Sequence, residues 1–165
     1  MRRDYIEYLI VLLENVRNNL REQKIKTKFD LTEWVNKNEC GTTACAIGHA
    51  ALDPLFQKRG LRLMWEDPSP IKSKIIKSPD DIDRLYDKKK YGDPAYSYIY
   101  FYIKYGDLEN FDAVKSFFRF QRPGIASILF SVSSYPSNNK SLRNVIARLK
   151  YLLKYGEDRL YNKFR

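Results

Sequence analysis

Residues 141–156 read SLRNVIARLKYLLKYG, and this stretch predicts the fold class most clearly. Its apolar side chains recur every three or four residues, which places them on one face of a helix; they are Leu142, Val145, Ile146, Leu149, Leu152 and Leu153. Ser141 is the expected N-cap, and Gly156 is the expected C′ residue that ends the helix. The stretch is therefore predicted to be an amphipathic helix packed on a core.

Further helices are predicted on both sides of this one. The apolar residues between Tyr5 and Leu20 also recur at helical spacing. A helix begins at Ser78-Pro79, where a cap is followed by proline and acidic residues, and short helices are predicted at 112–118 and 124–130. The chain is therefore predicted to be a compact, single-domain, mainly α fold of about five or six helices.

The middle of the chain contains the candidate strands. Residues 61–65 alternate apolar and polar side chains up to Met64, and residues 95–103 are rich in tyrosine and branched residues. We expect the two segments to pair as a small β hairpin. Asp93-Pro94 and Gly106 also fit the ends of a helix, so strand and helix both stay open for residues 95–103, with strand favoured.

Two short helices are predicted between residues 30 and 52. Asp30-Leu31-Thr32-Glu33 fits a capping box, so a helical turn is predicted from Asp30 to 36–38, with Trp34 and Val35 facing inward. A second helix is predicted from about Thr43 to Leu52, with Thr42 or Thr43 as its cap. It should end before Asp53-Pro54, because proline disfavours helical geometry in the preceding residue.

The second of these helices carries Cys45 and the one histidine of the chain, and the other cysteine, Cys40, lies just before its start. On a helix, Ala44, Gly48 and Ala51 form a smooth strip that lets a neighbouring helix approach closely, and this packing interpretation is favoured. If the protein is an enzyme, the catalytic residues would be Cys40, Cys45 and His49, with a thiol as nucleophile and the imidazole as base. The same three residues give an incomplete zinc set, and a Cys40 to Cys45 disulfide or redox switch is a further alternative.

The motifs around these cysteines resemble a known pattern. Phe29-Asp30-x-x-x-Trp34 and Cys40-Gly41-Thr42-x-x-Cys45-x-x-Gly48-x-Ala50 are similar to the F-[DN]-x-x-x-W and C-G-T-x-x-C-x-x-G-x-A signatures of small uncharacterised proteins from bacteria and bacteriophages. The resemblance continues in the same order; it includes Phe56-x-x-x-Gly60-Leu61, Phe117-Phe118, Ala126-x-x-Leu129-Phe130, Tyr135 and residues 145–149. It implies a shared fold, with residues 66–110 an insertion relative to shorter relatives, and it transfers no catalytic residue.

Positive charge points to the class of partner. Thirty Lys and Arg against twenty Asp and Glu give a net charge of +10, and residues 140–165 alone contain eight basic and two acidic residues, a net of +6. Such polarity favours nucleic acid or an acidic protein as partner, although an ordinary solvated helix face is the alternative. The candidate binding residues are Arg143, Lys150 and Lys154 on the last helix and Arg17, Arg21 and Lys24 after the first. The two groups form one cationic surface only if these helices are neighbours.

Tyrosines between residues 91 and 105 are candidates for stacking on unpaired bases.

These features predict a non-catalytic basic binding protein that needs no cofactor. The two cysteines suit a reducing compartment, and Glu7 and Glu14 interrupt the apolar stretch after Met1-Arg2-Arg3, so neither export nor membrane insertion is expected. We expect a cytoplasmic location, that of the host if the protein is encoded by a phage. Two alternatives stay open: a phage accessory or counter-defence factor that inhibits a host protein, and a thiol or metal enzyme centred on cysteine and histidine.

Overall fold

A computed structural model of the chain describes residues 1–21, 28–31, 34–38, 41–68, 71–90, 100–136 and 141–165. The elements are α1 (Arg3–Arg21), β1 (Lys28–Phe29), β2 (Val35–Asn38), β3 (Gly41–Ala44), α2 (Ala46–Leu52), α3 (Pro54–Lys58), β4 (Arg62–Pro68), β5 (Ile71–Ile76), α4 (Pro79–Lys90), β6 (Phe101–Tyr105), β7 (Leu108–Glu109), α5 (Asn110–Phe118), α6 (Ile125–Phe130), a 3₁₀ turn (Val132–Ser134) and α7 (Leu142–Phe164). The prediction of a mainly helical fold is confirmed, and two small sheets accompany the helices.

The two long helices build much of the core. The apolar stripes of α1 and α7 are buried where these helices pack together, and an aromatic cluster closes the core beside them. Phe56 is fully buried at the centre of this cluster, with its ring 5.5 Å from Phe117 and 6.0 Å from Phe118 in edge-to-face geometry. Such pairs add about 0.5–1.5 kcal/mol to the burial of the rings, so the cluster fixes α3 against α5.

The first sheet has the order β1-β3-β2 and lies where helices were predicted. The helical turn expected from Asp30 is wrong, because Val35–Asn38 is a strand that pairs antiparallel with β3. Asp30 donates its backbone N–H to the Ala44 carbonyl at 3.1 Å, and Val35 is buried opposite Ala44. Pairing with a distant segment thus outweighs the local capping pattern.

The start of the cysteine helix is also corrected. Gly41–Ala44 is a strand, so neither Thr42 nor Thr43 caps a helix, and α2 begins only at Ala46. The predicted end before Asp53-Pro54 is confirmed, because α2 ends at Leu52 and Asp53 caps α3 through its carboxylate, which accepts from Leu55 N at 2.9 Å. Ala44 therefore lies on a strand and does not belong to a helical strip with Gly48.

The second sheet has the order β5-β4-β6-β7 and lies in the middle region. Residues 61–65 and the end of 95–103 pair as predicted, with Leu63 opposite Ile103 and Trp65 opposite Phe101. Residues 91–99 lie outside the described ranges, so the prediction for 95–99 stays open. The structure adds β5, which follows β4 in the chain and pairs antiparallel with it as a hairpin, from Leu63↔Ile76 to Pro68↔Ile71.

The remaining helices lie where they were predicted, except that α7 continues beyond Gly156. Proline stands at the first position of α4, and α5 and α6 correspond to the two short helices expected at 112–118 and 124–130. Gly156 has φ 81° and ψ 175°, which ends the first segment of α7 as predicted, but a second helical segment continues to Phe164. Glu157 and Asp158 after the glycine supply the acidic first turn of that segment, which suits the positive end of a helix dipole.

Candidate functional site

Cys45 connects β3 to α2 and is the N-cap of that helix. Its sulfur accepts from the backbone N–H of Gly48 at 3.4 Å, and its own N–H donates to the Trp34 carbonyl at 3.2 Å. The side chain is only 2% exposed and its thiol is free. These contacts describe a buried cysteine that caps a helix; the expected burial is confirmed, but not the helical strip that included Ala44.

A cavity of about 410 Å³ is lined in part by Cys45. Its wall is mostly aromatic and apolar, and besides Cys45 it includes Trp34, Tyr86, Phe101, Phe111 and Ser131. His49 is not part of this wall: it is buried in α2, with its ring parallel to that of Phe29 at 6.4 Å. Cys45 and His49 therefore do not meet in the cavity as a nucleophile and its base. Cys40 lies outside the described residues.

Metal ligation gains no support from the described ranges either. Within them, the side chains of His, Cys, Asp and Glu form no group of three or more that could hold a metal ion. The zinc prediction depended partly on Cys40, which lies outside these ranges, so it stays a prediction.

Cys45 should react slowly with iodoacetamide at neutral pH. Burial raises the pKa of the Cys45 thiol to about 11, so the native side chain is a neutral thiol and a poor nucleophile. We expect the rate of alkylation to rise about tenfold per pH unit towards pH 11. The thiol of the unfolded chain ionises near its ordinary value of 9.0, so the free energy of unfolding should also fall as the pH rises from 9 towards 11.

The measurement is mass-spectrometric labelling of a Cys40→Ser variant, which leaves Cys45 as the one thiol. The same variant unfolded in urea is the control and should show an unshifted pKa. A native rate that already reaches its plateau near pH 7 would indicate an activated thiolate and would revive the thiol-enzyme alternative.

The condition for one cationic surface is met, because α1 and α7 are neighbours. Lys150 Nζ lies 2.6 Å from Glu14 Oε1, and Arg3 Nη1 donates to the Leu153 carbonyl at 3.0 Å. The hydrogen bond from Lys150 lowers the pKa of the Glu14 carboxyl, so this pair stays ionised at neutral pH. Lys150 therefore has its charge partly neutralised by α1, which weakens its case as a binding residue.

The other predicted binding residues differ in position. Arg143 and Lys154 are exposed on α7 as expected, whereas Arg17 is half-buried on α1. Arg21 ends α1, but its side chain lies outside the described part of the structure, as does Lys24 entirely. Of the two groups of candidates, the group on α7 is therefore the one for which the structure provides exposed cations.

Sequence reasoning missed the aromatic residues that accompany these cations. Tyr155 is 39% exposed; Lys154 Nζ lies 4.9 Å and the Arg159 guanidinium 5.9 Å from its ring centre. Lys163 Nζ lies 4.4 Å from the ring centre of Tyr151, which in turn contacts Tyr155 at 4.5 Å. Their spacing of four residues on a basic helix is the signal that could have revealed them. We call Lys154, Tyr155 and Arg159 the α7 patch.

The acidic residues of α7 do not neutralise this patch. Glu157 accepts from the backbone N–H groups of Gln121 and Arg122, at 2.9 and 2.8 Å, and Asp158 pairs with the Arg122 guanidinium. Among the described residues, Lys154 and Arg159 form no ion pair with a carboxylate. Both acidic side chains thus tie α7 to the segment between α5 and α6, and the positive charge of the patch remains available.

The tyrosines suggested for base stacking are only partly exposed. Tyr100 is 55% exposed and lies parallel to Tyr102 at 6.1 Å, but Tyr102 is buried and Tyr105 packs edge-on against Phe117. The tyrosines of residues 91–99 lie outside the described ranges. Within the described residues, Tyr100 is therefore the sole member of that run with a broadly accessible ring.

Comparison of the chain with protein-family models, curated proteins and solved structures finds no match. The resemblance to the small bacterial and bacteriophage proteins therefore stays a prediction. Each helix in the described part of the chain is too short or too polar to cross a lipid bilayer.

Proposed function

We propose that the protein is a non-catalytic nucleic-acid-binding protein and that the α7 patch contacts single-stranded nucleic acid. The observation that carries the proposal is an exposed tyrosine, Tyr155, flanked by two cations that form no ion pair with a described carboxylate. Cations neutralise backbone phosphates, and an aromatic face stacks with an unpaired base of any sequence.

The charge distribution supports nucleic acid over a small anionic substrate. The excess of +6 in residues 140–165 includes exposed cations at several positions, among them Arg143, Lys154 and Arg159, and separate cations on one surface suit a polymer of phosphates better than one small ligand. The neutral thiol of Cys45 supports a non-catalytic role, and so does the position of His49, which is not part of the cavity wall. An acidic protein as partner remains the alternative outcome of the test below.

A double variant, Lys154→Gln with Arg159→Gln, should weaken binding and its dependence on salt. Each phosphate contact on a single strand contributes about 0.7 to the slope of log affinity against log salt, so losing two contacts should reduce the slope by about 1.4. The measurement is fluorescence anisotropy of a labelled oligonucleotide titrated between about 50 and 200 mM salt. Exposed substitutions of this kind leave stability within about 0.5 kcal/mol, so folding should be unaffected.

A second variant separates stacking from charge. Tyr155→Ala should reduce affinity about tenfold with an unchanged salt slope, whereas Tyr155→Phe should retain it, because stacking needs only the ring. The matched control is Lys58→Gln with Lys77→Gln, two exposed cations on segments that pack against α2 and β4 rather than α7. Equal affinity of the control and the α7 variant, or no salt-dependent affinity for any oligonucleotide, would contradict the proposal, and binding to an acidic polypeptide instead would favour the alternative.

A further inference from the structure

A recess of about 520 Å³ lies where the end of α7 meets the 3₁₀ turn. Three basic residues from two parts of α7 contribute to its wall: Arg148 from the first segment, and Lys163 and Arg165 from the end of the second. Ser133, Ser134 and Tyr135 form much of the opposite side. No side-chain carboxylate belongs to the described wall, so the side chains that line the recess carry a net positive charge.

Arg148 is the fixed element of this recess. It is only 7% exposed, and its guanidinium donates to the carbonyls of Ile128 at 2.5 Å and Ser134 at 2.6 Å. The guanidinium also lies 3.7 Å from the ring centre of Tyr135 and 4.5 Å from that of Phe164. Carbonyls and rings hold it in place but carry no net negative charge, so its positive charge is not neutralised by them.

The side chains of the other two cations, Lys163 and Arg165, are exposed, and their described contacts are likewise with uncharged groups. Lys163 contacts the rings of Tyr151 and Phe164, and the Arg165 guanidinium lies 6.0 Å from the ring centre of Tyr161. None of the ion pairs among the described residues includes Arg148, Lys163 or Arg165. Three positive charges around one concave surface, one of them buried, favour an anion of more than one charge.

Hydroxyl groups at the recess suit the same ligand. Ser133 is exposed, and its Oγ lies 2.8 Å from Ser131 Oγ in a bond that either atom can donate. Ser133 can therefore donate to a ligand while it accepts from Ser131. A phosphate oxygen accepts from hydroxyl, ammonium and guanidinium groups alike, and bonds from charged donors are the stronger ones.

We propose that this recess binds a phosphate monoester at the end of a nucleic-acid strand. The proposal rests on the proposed function, because the α7 patch would hold the adjoining nucleotides of the same strand. A monoester is close to doubly charged at neutral pH, whereas an internal phosphodiester carries one charge, so the three cations discriminate in favour of the strand end. The same chemistry would admit a free nucleoside monophosphate, and the experiment distinguishes these sources.

The test compares three oligonucleotides of identical sequence that carry a 5′-phosphate, a 3′-phosphate or hydroxyl groups at both ends. We expect one of the phosphorylated strands to bind about tenfold more tightly than the hydroxyl-ended strand. The double variant Lys163→Gln with Arg165→Gln should abolish this difference and change the affinity for the hydroxyl-ended strand less than about threefold. Lys163→Arg with Arg165→Lys retains both charges and should retain most of the preference.

The outcomes separate this proposal from the proposed function. If all three strands bind equally, or if the preference survives in the Gln variant, the recess is not the site and the α7 proposal stands. If no strand binds, the proposed function fails, and titration with adenosine monophosphate against adenosine then decides the recess alone. If adenosine monophosphate binds to the wild type and not to the Gln variant, the recess is a phosphate site for free nucleotides. If the monophosphate does not bind, the recess is not a phosphate site.

Discussion

Replacing Gly48 with alanine should lower the free energy of unfolding by about 3 kcal/mol, although the same change inside most helices raises it by about 1 kcal/mol. A Cβ atom at Gly48 would lie 1.8 Å from the carbonyl oxygen and 3.0 Å from the carbonyl carbon of Trp34. These are backbone atoms, so a rotamer change cannot relieve the overlap. The carbonyl also accepts from Cys45 N, and moving α2 away would break the bond that holds the start of the helix.

Thermal unfolding followed by circular dichroism measures the effect. For a chain of this size, about 3 kcal/mol corresponds to a fall in Tm of roughly 6–12 °C. Gly106→Ala is the control: nothing lies within 4 Å of a Cβ there, and its φ of 58° should cost an alanine only about 1–2 kcal/mol. A Gly48→Ala protein at least as stable as the wild type would show that α2 does not approach the Trp34 carbonyl this closely.

The importance of Gly48 was predictable from the sequence, but its neighbour was not. Helical spacing indicated a surface for close approach, and a second helix was the expected partner. The structure places the backbone at Trp34 there instead, because Trp34 directly precedes β2, which pairs antiparallel with β3. Local patterns predict that a small residue is needed, whereas the identity of the approaching segment depends on non-local pairing.

The same difference explains which elements were found. Regular periodicity over several turns identified α1 and the first segment of α7, since each repeats its apolar stripe many times. The strands β1 to β3 have two to four residues each, too few to show a period, and Asp30-x-x-Glu33 resembled a helix start. β5 was missed for a related reason. Residues 71–76 show no regular alternation of apolar and polar side chains, and the strand is recognised only from its pairing with β4.

For the candidate site, charge counting found the helix but not the arrangement of its residues. Arg148 was counted among the basic residues of the C-terminal segment, yet the structure buries it. Helical spacing contains the signal: Arg148 lies three residues after Val145 and four before Leu152, both on the buried face. The aromatic rings and carbonyls that receive its guanidinium come from other segments, so no pattern within α7 could have identified them.

Arg148→Met should lower the free energy of unfolding by about 3 kcal/mol. Ile128 lies in the last turn of α6, where a carbonyl has no partner within the helix, and the Arg148 guanidinium supplies that partner. Removing it leaves the carbonyls of Ile128 and Ser134 unsatisfied, at about 1–3 kcal/mol each, and loses the contact with the Tyr135 ring. The loss of an unneutralised buried charge offsets part of this cost.

The two nearest hydroxyl donors already serve neighbouring carbonyls of α6. The Tyr135 hydroxyl donates to the Leu129 carbonyl at 2.6 Å, and the Ser134 hydroxyl donates to the Ser127 carbonyl at 2.9 Å. These two hydroxyl donors are thus already used on other carbonyls of α6. Arg148→Lys keeps one charge-assisted bond but lacks the fork that reaches two carbonyls, so it should lose about half as much stability as Arg148→Met.

Chemical denaturation of Arg148→Met, Arg148→Lys and Arg143→Met provides the comparison. Arg143 is exposed on the same helix, so its replacement by methionine should change stability by less than about 0.5 kcal/mol. Hydrogen exchange adds a local readout, because the amides at the end of α6 should lose protection in Arg148→Met more than those of α1. Equal stability of the two methionine variants would mean that solvent satisfies the α6 carbonyls, and the recess would then lose the fixed cation on which its selectivity for a doubly charged phosphate depends.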